Sequence, residues 1–277
     1  MTIRSHAPSA QSARAHGNKV VRSRSFEALA RAGFAARGLI YGIVGVLALK
    51  LALGDGGRTT DQQGALRTIA RQPFGHALLI AVAIGLAGYA IWRLVRAAMG
   101  HGPEASDDTL DRVAGVASGL IYAGLCVAAV GILTQSGGGS GSAQKTTGGV
   151  LGWPEGRWIV GIAGVVMIGV GAYQGYRGVA KKFLEDSKTE QMSRRGRDAF
   201  TAIGMAGHLA RMVVFALVGV FLVKAAIDFS PSQAVGLDGA LNKLVHQAYG
   251  PVLLGIVAAG LIAFALYSLA DARYRKV

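Results

Sequence analysis

The chain has 277 residues, of which 52% are hydrophobic and only 16% charged, with 41 glycines and a formal net charge of +14. The apolar fraction excludes a disordered chain, and the single cysteine, Cys126, excludes a disulfide-stapled secreted scaffold. Length alone would allow one or two soluble domains. The distribution of the apolar residues along the chain therefore decides the class of protein.

The apolar residues fall into six stretches of roughly 20 residues with almost no charge, which is the length a helix needs to cross a hydrocarbon core of about 30 Å. A buried soluble helix is usually shorter and keeps a polar stripe. The sequence therefore predicts an all-α membrane protein with six transmembrane helices. The predicted spans are Phe34–Leu53, Ala77–Val95, Val113–Thr134, Trp158–Tyr176, Ala206–Ile227 and Val252–Leu269.

The N-terminal residues 1–25 are rich in Ser, Ala, Arg and His and have no apolar core or cleavage pattern. They are therefore expected to form a disordered basic tail rather than a removable targeting signal. Most of the 29 Lys and Arg residues lie in this tail, in the second and fourth connections and at the C-terminus. Because basic loops remain in the cytoplasm, both termini are predicted to be cytoplasmic in a bacterial inner membrane.

This placement of the charge also argues against nucleic acid as a partner. A nucleic-acid-binding domain would gather its basic residues on a soluble face. Here they border membrane spans, where they favour anionic lipid headgroups on the cytoplasmic side.

The sequence repeats itself three times, with one two-helix hairpin in each copy. Three segments match at the start of the odd-numbered spans: Arg37-Gly38-Leu39-Ile40-Tyr41, Ser118-Gly119-Leu120-Ile121-Tyr122 and Arg211-Met212-Val213-Val214-Phe215. An aromatic residue recurs near the end of each even-numbered span, at Trp92, Tyr173 and Tyr267. The three hairpins insert in the same direction, which predicts parallel repeats in a pseudo-threefold bundle. The predicted division is repeat 1 at 26–100, repeat 2 at 107–183, a cytoplasmic linker at 184–199 and repeat 3 at 200–277.

Three further segments of repeat 1 carry a resemblance to a known family: Gly33-Phe34-Ala35-Ala36, Gly64-Ala65-Leu66 and Gly85-Leu86-Ala87-Gly88-Tyr89-Ala90-Ile91-Trp92. Together with Arg37–Tyr41 they resemble the bacterial three-repeat integral membrane family catalogued as domain of unknown function 1206. Repeat 2 departs from the pattern, with Ser118 in place of the arginine and a Gly/Ser stretch, Ser136–Ser142, before the second helix. The resemblance implies the topology and no biochemical activity.

Small residues at helical spacing indicate close packing between membrane helices, where van der Waals contact drives association. Packing within the bundle is preferred over a dimerisation face for these positions. The pairs are Gly38 with Gly42, Gly115 with Gly119, and Gly171 with Gly175.

Arg37 and Arg211 begin spans one and five at equivalent positions of their repeats. Either side chain could snorkel to the membrane interface and its headgroups, or face inward and be paired, since an arginine within the hydrocarbon needs a partner. The candidate partners of an inward arginine are Tyr41, Asp111 and His208. With the two arginines, Tyr41 and Tyr122 would line a polar path along the axis of the bundle.

The aromatic residues Trp92, Tyr173 and Tyr267 are interpreted as an interface belt. Polar residues follow them at matching positions, so a ring of polar groups is an alternative; these are Arg93, Gln174 and Ser268. His208 shares a helix face with Arg211. It is expected to be an interfacial histidine rather than a proton-linked or anion-binding partner.

No catalytic, cofactor or metal site is predicted, because the histidines lack ligand spacing and no acidic residue lies in a predicted span. The leading hypothesis is a non-enzymatic accessory, scaffold or lipid-associated membrane protein. A membrane-protein complex and a homo-oligomer remain open as partners. The alternative is a transport protein with a solute or ion path along the pseudo-threefold axis.

Overall fold

Six long apolar helices dominate the protein in a computed structural model that describes residues 24–99, 109–134 and 143–276. Each is long and apolar enough to cross a membrane. They are α1 (Arg24–Ala52), α3 (Gly75–Met99), α4 (Thr109–Leu133), α6 (Gly156–Val179), α7 (Arg194–Ile227) and α9 (Gly250–Tyr274). Each contains or overlaps one predicted span, so the six-span membrane architecture is confirmed. Of the predicted tail at 1–25, residues 1–23 lie outside the described residues, and so does the Gly/Ser stretch.

A short helix precedes the second long helix of each repeat. These helices are α2 (Gln62–Ala70), α5 (Ala143–Leu151) and α8 (Leu237–Val245). In α2, the Asp61 side chain caps the N-terminus by accepting from the backbone N–H of Gly64 at 2.7 Å. Leu66 and Leu241 are fully buried, which packs α2 and α8 onto the bundle. The Gly64-Ala65-Leu66 segment of the family resemblance lies within α2.

Each short helix is joined to the next long one by the same tight turn. Its last residue is in the left-handed region, at Phe74, Glu155 and Tyr249, with φ of 60°, 62° and 59°. A glycine follows in every repeat because the chain passes close to a carbonyl group. At Gly156, for instance, a Cβ atom would lie only 1.8 Å from the carbonyl oxygen of Val150.

The long helices pack in the order α4, α3, α1, α9, α7, α6. Neighbouring repeats meet at three equivalent interfaces, α3 with α4, α6 with α7, and α9 with α1. The glycines at these interfaces allow close approach. A Cβ at Gly38 would lie 3.0 Å from the carbonyl oxygen of Ala265 on α9. Gly119 and Gly171 approach α3 and α7 in the same way.

The hairpin of the middle repeat is open. Within the described residues, α1 packs against α3 and α7 against α9, but α4 and α6 do not pack along their lengths. Accordingly, only 17% of the most apolar part of α4 and 22% of that of α6 are buried, compared with 50–56% for α1, α3 and α9. The α4–α6 opening, as we call this gap, breaks the threefold pattern.

A pair of glycines explains the two closed hairpins. In repeat 1, a Cβ at Gly33 would lie 2.8 Å from the carbonyl oxygen of Gly85, and one at Gly85 would lie 2.8 Å from that of Ala32. Gly207 and Gly260 hold the equivalent positions in repeat 3 and are equally crowded. Repeat 2 has larger residues at both of these positions, Ala114 and Val166.

We expect Gly85→Val, which gives repeat 1 the residue of repeat 2, to destabilise the protein by about 1–3 kcal/mol, because the α1–α3 contact is overpacked. Gly169→Val on α6 is the matched control, since no atom lies within 4 Å of a Cβ built there. Thermal unfolding of both variants in detergent provides the measurement. Equal melting temperatures for the two would contradict this account of hairpin closure.

Candidate functional site: an arginine cluster at the terminal end of the bundle

Arg37 points into the bundle at its terminal end, by which we mean the end where α1 begins and α9 finishes. The side chain is 5% exposed. Its Nε donates to Ser268 Oγ on α9 at 3.1 Å and its Nη1 donates to the Tyr89 hydroxyl on α3 at 2.8 Å. The guanidinium also lies over the rings of Phe34 and Phe264, at 4.8 and 5.1 Å. Snorkelling of Arg37 to the interface is therefore wrong, because the side chain joins three helices inside the protein.

The last turn of α9 holds a fully buried carboxylate, Asp271. Its Oδ2 lies 3.6 Å from Arg37 Nη2 and 3.4 Å from Arg275 Nη1. Its Oδ1 accepts from Ser187 Oγ at 3.1 Å. Asp271 lies two residues beyond Leu269, where the sixth span was predicted to end, because α9 continues to Tyr274.

The predicted linker at 184–199 folds back onto the end of α9. Asp186 pairs with Arg275 at 3.1 Å and also with Arg177 of α6. Burial disfavours the charged form of Arg275, but the carboxylates of Asp186 and Asp271 outweigh it, so the pKa of Arg275 is raised. Arg275 therefore stays charged and holds the linker against α9.

Arg211 makes a corresponding contact between α6 and α7. In the amide orientation that satisfies both groups, Gln174 Oε1 accepts from the two Nη atoms of Arg211 at 3.0 and 3.1 Å. Three rings, of Phe264, Phe215 and Tyr41, lie 4.5 to 5.5 Å from this guanidinium. Arg211 Nε is buried and has no hydrogen-bond partner within the described part of the chain.

The third interface between repeats carries its arginine on the opposite helix. Arg93 of α3 donates from Nε to the Tyr89 hydroxyl at 3.2 Å, so Arg93 and Arg37 share one acceptor oxygen. Each interface thus has one arginine and one uncharged polar residue at equivalent positions. The pairs are Arg37 with Ser268, Arg211 with Gln174, and Arg93 with Ser118. The predicted ring of polar residues therefore corresponds to one side of each of these pairs.

Positive charge exceeds negative charge in this region. The arginine cluster, as we call it, consists of Arg37, Arg93, Arg177, Arg211 and Arg275 with the carboxylates of Asp186 and Asp271. Among the described residues, no carboxylate lies within 4 Å of Arg93 or Arg211. Arg93 and Arg211 are also half-buried, whereas Arg37 and Arg275 are buried. The arrangement can bind an anion, with Arg93 and Arg211 as the most available groups.

The recurring aromatic residues do not form a belt facing lipid. Trp92 and Tyr267 are 1% and 3% exposed, and Tyr173 is half-buried. Trp92 packs against the ring of Phe34 at 5.2 Å. The belt interpretation is wrong for Trp92 and Tyr267, because both rings fill the core between helices.

Tyr41 and Tyr122 also lie in the interior. The Tyr41 ring packs edge-on against Phe264 at 4.9 Å, and the Tyr122 ring packs edge-on against Tyr89 at 4.5 Å. Tyr122 interacts electrostatically with Arg37 and Arg211 as well. The two tyrosines therefore border the arginine cluster on the side away from the terminal end.

His208 belongs to a neighbouring aromatic group rather than to the arginine cluster. Its ring stacks on Phe183 at 5.0 Å with an interplanar angle of 17°, and it packs edge-on against Tyr267. Its Nδ1 lies 2.8 Å from the carbonyl oxygen of Gly204. Since a carbonyl only accepts, Nδ1 carries the proton. The residue is 5% exposed, so it is not interfacial.

Sequence reasoning missed Tyr89, Asp186, Asp271 and Arg275 as members or partners of the cluster. One signal was available for Asp271. It occupies the repeat position of Arg96 and Arg177, so a carboxylate replaces a cation where the other two repeats have one. Tyr89 carries no comparable signal, since an apolar residue, Val170 or Phe264, occupies its position in the other repeats.

Comparison with known families identifies the three repeats. The family described as Domain of Unknown Function (DUF1206) matches residues 32–100, 113–181 and 206–275. The chain belongs to this family. Each matched segment contains one hairpin with its short helix. No solved structure matches the chain.

A curated bacterial protein is similar along most of its length. It is the uncharacterized protein YxxB of Bacillus subtilis (strain 168), which is 34% identical over 250 residues. The match covers 89% of this chain and 90% of the relative. The six-span, three-repeat plan thus belongs to a multi-pass membrane protein family, and neither comparison assigns it an activity.

We expect Asp271→Asn to destabilise the protein by about 3–5 kcal/mol, because it removes the carboxylate next to buried Arg37 and leaves Arg275 with Asp186 alone. Asp198→Asn is the control, since Asp198 is exposed at the start of α7. Thermal unfolding in detergent compares the two variants. A melting temperature of Asp271→Asn equal to that of the control would contradict a structural role for the ion pair.

Proposed function

We propose that this protein is a non-enzymatic, lipid-associated protein of the bacterial cytoplasmic membrane. Its arginine cluster binds the phosphate of an anionic lipid headgroup on the cytoplasmic side. The observation that carries the proposal is the excess of guanidinium groups over carboxylates in the cluster. Arginine presents a planar fork of donors that matches phosphate oxygens.

The geometry around Arg93 and Arg211 supports an anionic ligand. Both side chains have neutral oxygen partners, the Tyr89 hydroxyl and the Gln174 amide, which leave their charge uncompensated. The buried, unpartnered Nε of Arg211 is one donor that a phosphate oxygen could satisfy. Burying such a donor without an acceptor costs about 1–3 kcal/mol, so a bound anion would recover part of the free energy of folding.

The same contacts support a role without catalysis. The two carboxylates of the cluster are already paired, Asp271 with Arg37 and Arg275, and Asp186 with Arg275 and Arg177. Both carboxylates are therefore engaged in ion pairs within the protein. His208 donates to a main-chain carbonyl and is covered by aromatic rings, so it is not placed to exchange protons with a substrate.

Placing the terminal end in the cytoplasm fits the distribution of charge. Arg and Lys outside the hydrocarbon favour the cytoplasmic side, and residues 1–25 contain five basic and no acidic residues. The arginine cluster then lies at the depth of the anionic headgroups of the inner leaflet. A role as an accessory subunit, in a complex or as a homo-oligomer, is compatible with a bound lipid.

We expect the double variant Arg93→Gln/Arg211→Gln to lower the affinity for an anionic phospholipid by about 30-fold, since each arginine near a lipid surface contributes about 1 kcal/mol. Native mass spectrometry of the purified protein with added phosphatidylglycerol or phosphatidylcholine provides the measurement. The wild type should retain phosphatidylglycerol preferentially.

The matched control for this experiment is Arg194→Gln/Arg195→Gln, which removes two exposed arginines from the start of α7. Equal retention of the two lipids by the wild type would overturn the proposal. Anion flux into proteoliposomes that Arg93→Gln/Arg211→Gln abolishes would replace it with the transport hypothesis, because the same arginines would then line a path.

The predicted orientation is tested separately with reporter fusions in a bacterial host. Alkaline phosphatase fused after Tyr274 should be inactive, because it remains in the cytoplasm, whereas a fusion after Gly56, between α1 and α2, should be active. The opposite pattern would place the arginine cluster on the outer side of the membrane and contradict the proposal.

A further inference from the structure

The α4–α6 opening faces the surrounding membrane with apolar side chains on both sides. On α4, Ile121 is 60% exposed, whereas its counterpart in the closed hairpin of repeat 1, Ile40, is 1% exposed; on α6, Val166 and Val170 are exposed. In a water-soluble protein such a surface would be a partner interface. In a bilayer, lipid chains can cover it at no hydrophobic cost.

The opening ends beside the arginine cluster. Its α6 side carries Gln174, which binds Arg211. Its α4 side carries Tyr122, whose ring contacts Tyr89, the acceptor for Arg93. Among the described residues, the two arginines of the cluster without a carboxylate partner are Arg93 on α3 and Arg211 on α7. These are the helices on which α4 and α6 pack.

The dimensions fit a single lipid. On α4, Ile121 lies 12 residues before the end of the helix at Leu133, a distance of about 18 Å at 1.5 Å per residue. One leaflet contributes about half of a hydrocarbon core of about 30 Å. An acyl chain in the opening can thus reach from the level of the cluster to the middle of the bilayer.

The sequence of repeat 2 favours an open hairpin. The glycine pair that closes repeats 1 and 3 is replaced by Ala114 and Val166, and Val166 itself is exposed. Ser118 also replaces the arginine that joins helices in the other repeats. The same repeat therefore lacks the close-packing glycines and the inward arginine.

We infer that the α4–α6 opening holds an acyl chain of an anionic phospholipid whose phosphate contacts Arg93 and Arg211. The inference rests on the proposed function and adds that the lipid is an integral occupant of the middle repeat, entering sideways from the bilayer. Charge complementarity at one end and apolar side chains along the rest select a membrane lipid over a soluble anion. A soluble anion would leave the apolar part of the opening empty.

The test uses the full-length protein in nanodiscs that contain phosphatidylglycerol with a photoreactive diazirine on its acyl chain. After irradiation, labelled peptides are quantified by mass spectrometry. Adducts should be several-fold more abundant on α4 and α6 than on the exposed face of α3, formed by Ile80 and Ile84, which represents ordinary surface lipid. Adducts spread evenly over these helices would overturn the inference.

Two further arms separate the inference from the proposed function. Arg93→Gln/Arg211→Gln should reduce adducts on α4 and α6 several-fold and leave those on α3 unchanged, and an unchanged pattern would overturn the inference. The same experiment with a diazirine-bearing phosphatidylcholine should give no enrichment on α4 and α6.

If phosphatidylglycerol is retained in native mass spectrometry but its adducts are evenly spread, the proposed function stands and the inference fails. If it is not retained, both fail.

Discussion

The buried contact between Arg37 and Asp271 connects the first long helix of the chain to the last. A charged guanidinium that is 5% exposed needs compensation, and here hydroxyl groups of α3 and α9 accept from Nη1 and Nε while the Asp271 carboxylate of α9 lies 3.6 Å from Nη2. The pair fixes the α9–α1 interface and the position of Tyr89. It also recruits Arg275 and, through Asp186, the linker between repeats 2 and 3. The terminal end of the bundle therefore depends on this interaction.

Repetition of the hairpin makes the same chemistry appear three times, with different residues each time. Every interface between repeats has one arginine and one neutral polar residue at equivalent repeat positions, although in the α3–α4 interface the arginine is on the other helix and donates to the Tyr89 hydroxyl. Two arginines on the facing helices of one interface would repel each other. An interface without an arginine would leave its polar residue without a charged donor. Each interface therefore has one arginine, but the helix that carries the arginine differs. At the repeat position shared by Arg96, Arg177 and Asp271, only repeat 3 has a carboxylate. The arginine cluster as a whole therefore stays positive.

Repeat 2 shows how small changes in side-chain volume alter the architecture. Two closed hairpins rely on reciprocal glycines, and a Cβ at any of these four positions would meet a helix closer than atoms normally approach. Repeat 2 has Ala114 and Val166 there, and among the described residues its two long helices pack along neighbours from other repeats rather than along each other. Membrane helices gain little from hydrophobic contact with each other, so the loss of close packing is enough to leave a hairpin open.

The membrane class, the six spans and the three repeats are predictable from the chain alone, because runs of about 20 apolar residues and recurring motifs are local properties. The sequence also pointed to Arg37, Arg211 and the polar residues Arg93, Gln174 and Ser268. The direction in which these side chains face, and the atoms they meet, follow from the packing of the folded helices. Arg37 turns inward, Asp271 lies within α9, and Trp92 and Tyr267 fill the core, because each orientation depends on a helix distant in sequence. The opening in repeat 2 was likewise decided in three dimensions, since whether two helices pack depends on residues that meet only after folding.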